Sequence, residues 1–251
     1  VYRLTIRGAW GHGSMPRDEN AAVRAATAIV RLAEPGPPSL TPVMRRFFEQ
    51  AAGRLEGRPA ALVRKLLEGD VALDDVIADL CEEPYRRAAR ALVRDTISIG
   101  IVAAGVKYNV IPGLAEIELD CRVLPTTTEA MMRDEVRRRL GDELARHVDI
   151  ELEIFGPPVE SPSDHPIVGL LARTLCEHDG EAVPVPVMAP FATDAKHLVP
   201  LGVPTYGFSP LRNDPGELWL ERFHGVDERV GVDALRFGLP VLYDVVRRYC
   251  G

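Results

Sequence analysis

Residues 114–124 read LAEIELDCRVL, and apolar residues alternate with polar ones over most of this stretch. A period of two is the pattern of a β-strand with one buried face and one exposed face. Leu119 and Cys121 then lie on one face, and Asp120 and Arg122 lie on the other. The stretch therefore predicts a strand in a sheet that is covered on one side.

Three further stretches predict strands, and two more predict helices between them. The strand candidates are VYRLTIRG (1–8), DTISIGIVAAG (95–105) and HVDIELEIF (147–155). Residues 20–34 carry apolar residues at helical spacing, and residues 126–144 predict a helix for which Thr126–Thr128 offer N-cap hydroxyls. The order strand, helix, strand, strand, helix, strand is that of the ferredoxin-like α+β fold, a sheet with two helices on one face.

The segment 39–94 interrupts this order. It holds several short helical patterns, which break at Gly53, Gly57 and Gly69 among other positions. We interpret it as a helical insertion after the first helix. The first predicted domain is therefore 1–154, with the insertion at 39–94.

The remaining residues, 155–251, predict a second domain of α/β class. A proline-rich linker, FGPPVESPSDHP (155–166), separates it from the first domain. Helical patterns at 166–180 and 232–250 alternate with the short apolar runs VPVPVM (183–188) and VPTYGF (203–208). Short buried strands between helices favour part of a parallel sheet.

Composition excludes several function classes. The 251 residues are 46% hydrophobic, enough for two cores, and the net charge of −7 comes without a basic cluster, so nucleic acid is excluded as a partner. No apolar run is long enough to cross a bilayer, and no membrane partner is expected. The four cysteines form no CxxC pair, which favours reduced thiols and a cytoplasmic location. Because Val1 lies inside a predicted strand, we expect a longer parent polypeptide.

Two loops and one strand of the first domain carry candidate site residues. His12 lies among small residues in GAWGHGSMP (8–16), where it is either a hydrogen-bond donor to an oxyanion or a surface histidine. Asn109 in GVKYNVIPG (105–113) lies at a strand end, where asparagine is also common in turns. Arg122 could grip a carboxylate, although a surface pair with Asp120 is the commoner outcome.

The second domain adds two candidate loops. Thr193 and Asp194 in APFATDAKHLVPLG (189–202) lie between an apolar run and a helix, which suits either an N-cap or a ligand site at a strand end. His224 precedes Asp227 and Glu228, so it fits a metal ligand with carboxylates nearby or a loop histidine in an acidic patch. No second histidine at ligand spacing accompanies it.

Taken in order, GHGSMP with NAA, GVKYNVIPG with ELDCRVLP, ATDAKHLVPLGVPTYGFSP, and HGVDERV resemble motifs of the dizinc exopeptidases. The resemblance is to the branch with aminoacylases and carboxypeptidase S, in a superfamily that includes succinyl-diaminopimelate desuccinylases. It spans nearly the whole chain apart from the insertion. It implies a ferredoxin-like lid and dimerisation domain, followed by the C-terminal part of a parallel-sheet catalytic domain.

The resemblance also implies roles for matching residues. His12 is similar to the lid histidine that stabilises the oxyanion from the partner subunit. Asn109 and Arg122 resemble the pair that positions the substrate, with the arginine on its free carboxylate. His224 is similar to the most C-terminal zinc ligand. The residues expected to line the pocket are Thr193, Asp194, Gly207 and Ser209.

The implied reaction is zinc-dependent hydrolysis of an amide bond next to a free carboxylate, in an N-acyl amino acid or a short peptide. Two zinc ions are implied per site, with cobalt or manganese as alternatives, in a homodimer formed through the lid. The other metal ligands and the general-base glutamate have no counterpart in these residues. The expectation is therefore an active full-length hydrolase, and a chain that by itself is an inert lid fragment or a binding module.

Overall fold

The computed structural model describes residues 1–83, 85–212 and 222–251. The chain divides into two compact units. We call residues 1–39 and 94–158 the sheet unit, and residues 40–93 and 159–251 the helical unit. The insertion thus groups with the C-terminal residues, while the predicted boundary at 154/155 stays a prediction.

The strands of the described residues all lie in the first 152 positions. They are β1 Tyr2–Arg7, β2 Gly11–His12, β3 Thr96–Ala104, β4 Val110–Ile111, β5 Leu114–Arg122 and β6 Val148–Leu152. The helices are α1 Ala21–Leu32, α2 Pro42–Ala52, α3 Gly57–Glu68, α4 Leu73–Leu80, α5 Tyr85–Ala91, α6 Glu129–Ala145, α7 Pro166–His178, α8 Ala195–Leu198 and α9 Val232–Cys250. Within the described residues, none of these helices is long and apolar enough to cross a membrane.

The sheet unit has the predicted ferredoxin-like topology. Its four long strands lie in the order β3-β5-β1-β6, and each neighbouring pair is antiparallel. The register pairs Leu4 with Ile117 on one side and with Ile150 on the other. This arrangement leaves β3 and β6 as the two edge strands, each with a single neighbour.

The period of two in the strands separates a buried face from a charged face. Leu4, Ile6, Ile117 and Leu119 are fully buried. They pack on residues of α1 and α6 that recur at helical spacing, namely Ala21, Ala25, Ala28, Leu32, Met132, Val136, Leu140 and Leu144. Truncation of one of these leucines to alanine costs about 2–5 kcal/mol in such a core.

Side-chain caps start both helices of the sheet unit. The Asn20 Oδ1 accepts a hydrogen bond from the Ala22 amide at 2.9 Å, and the Thr128 hydroxyl accepts one from Met131 at 3.2 Å. Thr128 therefore fills the capping role that the sequence predicted for the threonine run. The end of α6 differs from the prediction, because Gly141 has φ 72° and kinks it. Arg31 donates to the Leu140 carbonyl beside this kink.

The insertion forms a small helical core within the helical unit. Met44, Phe48, Val63, Val76 and Val93 are among its buried residues. The Thr41 hydroxyl caps α2 by accepting from the Met44 amide at 3.4 Å. Gly69 ends α3 in the left-handed conformation, with φ 90°, which glycine adopts without a steric penalty.

The two strands predicted for the C-terminal region were wrong. Residues 183–188 and 203–208 lie outside regular secondary structure. Pro184, Pro186 and Pro204 have no amide hydrogen with which to bond a neighbouring strand. Among the described residues, the helical unit also has no strand with which these segments could pair. The predicted helices are present as α7 and α9, which pack on each other.

Candidate active site

Two turns of the sheet unit, far apart in sequence, lie side by side. The short strands β2 and β4 pair His12 with Val110, and the Gly13 amide donates to the Asn109 carbonyl at 2.8 Å. Each turn is closed by its own hydrogen bond, from Met15 to the His12 carbonyl at 2.9 Å and from Val110 to Lys107 at 3.1 Å. The fold thus brings the His12 and Asn109 candidates together.

Gly13 makes this approach sterically feasible. A Cβ atom at position 13 would lie 3.1 Å from the Cα and the carbonyl carbon of Asn109. Contacts that short are tighter than ordinary van der Waals contacts and would push the turns apart. Gly13 was not among the predicted site residues, although the glycines that flank His12 were a signal for a close backbone approach.

The His12 ring has one nitrogen engaged and one available. Its Nδ1 lies 2.8 Å from the Ser14 hydroxyl and accepts from the Ser14 amide at 3.3 Å. Because a backbone amide only donates, this contact places the proton of a neutral ring on Nε2. The side chain is exposed, so an Nε2–H is presented as a hydrogen-bond donor to a ligand.

The Asn109 side chain holds an acceptor that has no donor. Its Oδ1 is buried and has no hydrogen-bond partner. Leaving a buried polar atom unsatisfied costs about 1–3 kcal/mol, so such atoms are common where a ligand or partner completes the bond. The Oδ1 of Asn109 is therefore an acceptor that the described residues leave open.

Arg122 is the last residue of β5, in the four-stranded sheet, whereas the paired turns belong to the two-stranded sheet of β2 and β4. It pairs with Thr96 in the register, and its guanidinium contacts the Asp120 carboxylate at 2.7 Å. Both side chains are partly exposed, which makes this the surface pair that the sequence had allowed for. Asn109 precedes β5, whereas Arg122 is its last residue, and nine strand residues span about 27 Å. The structure does not bring Asn109 and Arg122 together within one chain.

Thr193 and Asp194 lie where an exposed loop enters α8. Asp194 occupies the N-cap position but makes no side-chain capping bond. The Thr193 hydroxyl instead accepts from the Ala195 amide at 3.3 Å. The Asp194 carboxylate therefore has no role in the cap, which leaves it available to a ligand.

Gly207 and Ser209 follow a segment that is tied to the interdomain linker. The Thr205 amide donates to the Ser161 hydroxyl at 2.9 Å, and the Tyr206 hydroxyl donates to the Pro162 carbonyl at 2.7 Å. Burial and then the Asp164 carboxylate raise the pKa of Tyr206 above its ordinary value, so this hydroxyl stays protonated. Gly207 and Ser209 themselves are exposed.

His224 lies in an exposed turn in which the Gly225 amide donates to the Arg222 carbonyl at 3.0 Å. His224 and Asp227 both have a positive φ, 55° and 61°. The Asp227 carboxylate is paired with Arg229. In the three described ranges of the chain, no three His, Cys, Asp or Glu side chains converge as a metal site.

The four-stranded sheet and the paired turns lie within residues that match a peptidase dimerisation domain. The family model described as the M20 peptidase dimerisation domain matches residues 1–148. The chain belongs to this M20 family of exopeptidases and amidohydrolases, as its motifs predicted.

Curated relatives are similar over much of the chain. "Probable carboxypeptidase S-like 2" of Dictyostelium discoideum is 28% identical over 250 residues, which cover 98% of this chain and 46% of that protein. The mouse "N-fatty-acyl-amino acid synthase/hydrolase PM20D1" is 26% identical over 94% of this chain and 46% of its own length. Human aminoacylase-1 is 27% identical over 60% of this chain and 37% of its own length. The chain thus spans less than half the length of these relatives.

Solved structures share the fold. The di-peptidase Dug1p of Saccharomyces cerevisiae superimposes with a TM-score of 0.62 at 14% identity, over 99% of this chain and 53% of that chain. A tripeptidase of Staphylococcus aureus gives a TM-score of 0.56 at 13% identity, over 98% of this chain and 50% of that chain.

Proposed function

We propose that this chain is part of a hydrolase that cleaves an amide bond next to a free carboxylate, in an N-acyl amino acid or a short peptide. The observation that carries the proposal is the pairing of the His12 and Asn109 turns. Together they present an Nε2–H donor and an unsatisfied amide oxygen on one side of the sheet unit. The names of the relatives, which include a carboxypeptidase S-like protein, an N-fatty-acyl-amino acid synthase/hydrolase and an aminoacylase, support this substrate class.

Each side chain has a distinct task in this proposal. The His12 Nε2–H donates to the oxygen of the amide carbonyl as negative charge develops there. Asn109 Oδ1 accepts from an N–H group of the substrate, which satisfies its buried acceptor. The Arg122 guanidinium binds the free carboxylate with two parallel hydrogen bonds, in competition with Asp120.

The separation along β5 requires that two copies share one substrate. In an N-acyl amino acid, only the nitrogen and the α-carbon separate the scissile carbonyl from the carboxylate. The end of the sheet with Asn109 and the end with Arg122 are about 27 Å apart in one chain. His12 and Asn109 of one copy therefore act on the substrate that Arg122 of the other copy holds.

The open edge of β3 offers the surface for such a dimer. This strand has one neighbour, β5, and its Ile101 and Val102 are 56% and 52% exposed. An exposed apolar edge strand is a template for pairing with a second chain. A two-fold axis perpendicular to the sheet edge makes the two β3 strands run antiparallel.

This pairing brings the required ends together. The Ala104 end of one β3 lies beside the Thr96 end of the other, and Thr96 is the register partner of Arg122. Residues 105–109 follow directly after Ala104 and lead to Asn109. The homodimer through the sheet unit is thus the assembly that this proposal needs.

We also propose zinc as the metal, with His224 as one ligand. The described part of the chain does not by itself gather a set of metal ligands, and His224 stands in an exposed turn. The chain's own contribution to the chemistry is therefore limited here to donor, acceptor and carboxylate-binding groups. The cytoplasmic location stays a prediction from the cysteines, which are all free.

A second candidate function is a dimerisation module without hydrolytic activity, which the open β3 edge also favours. Two measurements on the protein from the complete coding sequence separate the candidates. N-acetylmethionine hydrolysis and bound zinc per chain are compared with those of a His224→Ala variant. Hydrolysis and zinc that both fall in the variant support the hydrolase, whereas a dimer with neither supports the module.

A further inference from the structure

Helix α2 contacts both segments that lead to candidate site residues of the helical unit. Its cap residue, Thr41, donates through Oγ1 to the Met188 sulfur at 3.6 Å. Arg46, one turn further on, donates to the Ser163 hydroxyl. These contacts tie the insertion to two separate stretches of the C-terminal residues.

Met188 anchors the loop that carries Thr193 and Asp194. It packs on the buried core of the insertion, and Thr41 is only 2% exposed. Residues 191–194 are all exposed, so Met188 is the last core contact before them. The position of this loop therefore depends on how Met188 packs against the core of the insertion.

Ser163 belongs to the stretch that holds residues 205 and 206. Ser161 and Pro162, its neighbours, accept hydrogen bonds from Thr205 and Tyr206. The Tyr206 ring also lies 5.8 Å from the His165 ring, centroid to centroid. A displacement of the 161–165 stretch would therefore be transmitted to Gly207 and Ser209.

We propose that the insertion is a positioning element of the substrate site, with Met188 and Arg46 as its two positioning residues. This rests on the proposed function, in which Thr193, Asp194, Gly207 and Ser209 line the pocket. The insertion sets the geometry of the two loops that Thr41 and Arg46 contact. Neither residue needs to touch the substrate.

Local hydrogen exchange tests the two anchors separately. Met188→Ala should raise exchange in residues 189–198 by about tenfold, because the opening of a loop is governed by its few buried contacts. Arg46→Ala should raise exchange in residues 203–209 and leave 189–198 unchanged. Arg45→Ala is the matched control, since Arg45 is the neighbouring exposed arginine and donates to Leu67 inside the insertion.

A milder variant guards against simple loss of folding. Met188→Leu keeps the volume and should behave as wild type. In the protein from the complete coding sequence, Met188→Ala should raise KM several-fold with a smaller change in kcat. An equal rise of exchange across the whole helical unit in every variant would overturn the proposal. No turnover in the wild type would refute the proposed function, while the exchange pattern would still report on the anchors.

Discussion

The amide of Gly13 donates to the carbonyl of Asn109 at 2.8 Å, although 95 positions separate the two residues in sequence. This bond joins the turn that presents His12 to the turn that holds an unsatisfied side-chain oxygen. The first prediction concerns this contact. Gly13→Ala would place a Cβ 3.1 Å from the Asn109 backbone and should cost about 1–3 kcal/mol of unfolding free energy.

Turnover of the Gly13→Ala enzyme should fall as well, because the two turns move apart. Gly180→Ala is the control, since a Cβ at Gly180 meets nothing within 4 Å. Chemical denaturation and a hydrolysis assay on both variants are the measurements. Equal behaviour of the two would show that the close approach is unimportant.

His12→Ala should lower kcat by about 10²–10³ and change KM little, because the lost donor acts on charge that develops in the transition state. Ser14→Ala removes only the hydroxyl contact to Nδ1 and keeps the amide contact, so its effect should be smaller. Steady-state kinetics of the two variants check this. A His12→Ala enzyme that turns over normally would rule out the donor role.

Arg122→Ala should weaken hydrolysis of substrates with a free carboxylate and leave their amides and esters nearly unaffected. Arg7→Ala is the matched control, because Arg7 also pairs with a carboxylate, that of Asp149, in the same sheet. The kcat/KM ratio of acid to amide substrate is the readout. The same loss on both substrates would mean that Arg122 has a structural role.

Ile101→Lys should convert the dimer to a monomer, because a charge on the open edge of β3 opposes strand pairing. Ile154→Lys is the control, since Ile154 is 62% exposed and follows the opposite edge strand, β6. Sedimentation velocity distinguishes the two. If Ile154→Lys dissociated the dimer and Ile101→Lys did not, the interface would lie on the β6 edge and not on the β3 edge.

Glu135→Gln should destabilise the protein by about 1–2 kcal/mol at neutral pH, because the carboxylate accepts charged hydrogen bonds from Arg138 and Arg139. The Arg138 and Arg139 contacts lower the pKa of Glu135 to about 2, against an ordinary 4.5. The folded pKa is the lower one, so this stabilisation is present above the unfolded pKa and is lost as the pH falls from about 4.5 towards 2.

The unfolding free energies of the wild type and of Glu135→Gln are measured from neutral pH down to about pH 2 and compared. The difference between them should shrink below about pH 4.5. Glu143→Gln, at an exposed position of the same helix, is the matched control variant. If the difference in unfolding free energy did not depend on pH, the loss of stability in Glu135→Gln would come from packing and not from the ion pairs.

The sheet could be predicted from the sequence because each strand carries its own period of two, and Leu4, Ile117 and Leu119 are buried as that period requires. The pairing of the two turns could not be predicted, because nothing local in residues 11–13 specifies which distant backbone segment lies beside Gly13. The separation of Asn109 and Arg122 was missed because the motifs give their roles and not their places on the sheet. Prolines 184 and 186 were the overlooked signal against a strand.

Complementation between variants tests most directly the claim that two copies share one substrate. His12→Ala and Arg122→Ala proteins are mixed and allowed to exchange subunits before hydrolysis is assayed. Each mixed dimer has one intact site, so random exchange should restore about a quarter of wild-type activity. If His12 and Arg122 of the same copy served one substrate, every site in the mixture would carry one defect. No restored activity after demonstrated exchange would therefore contradict the account.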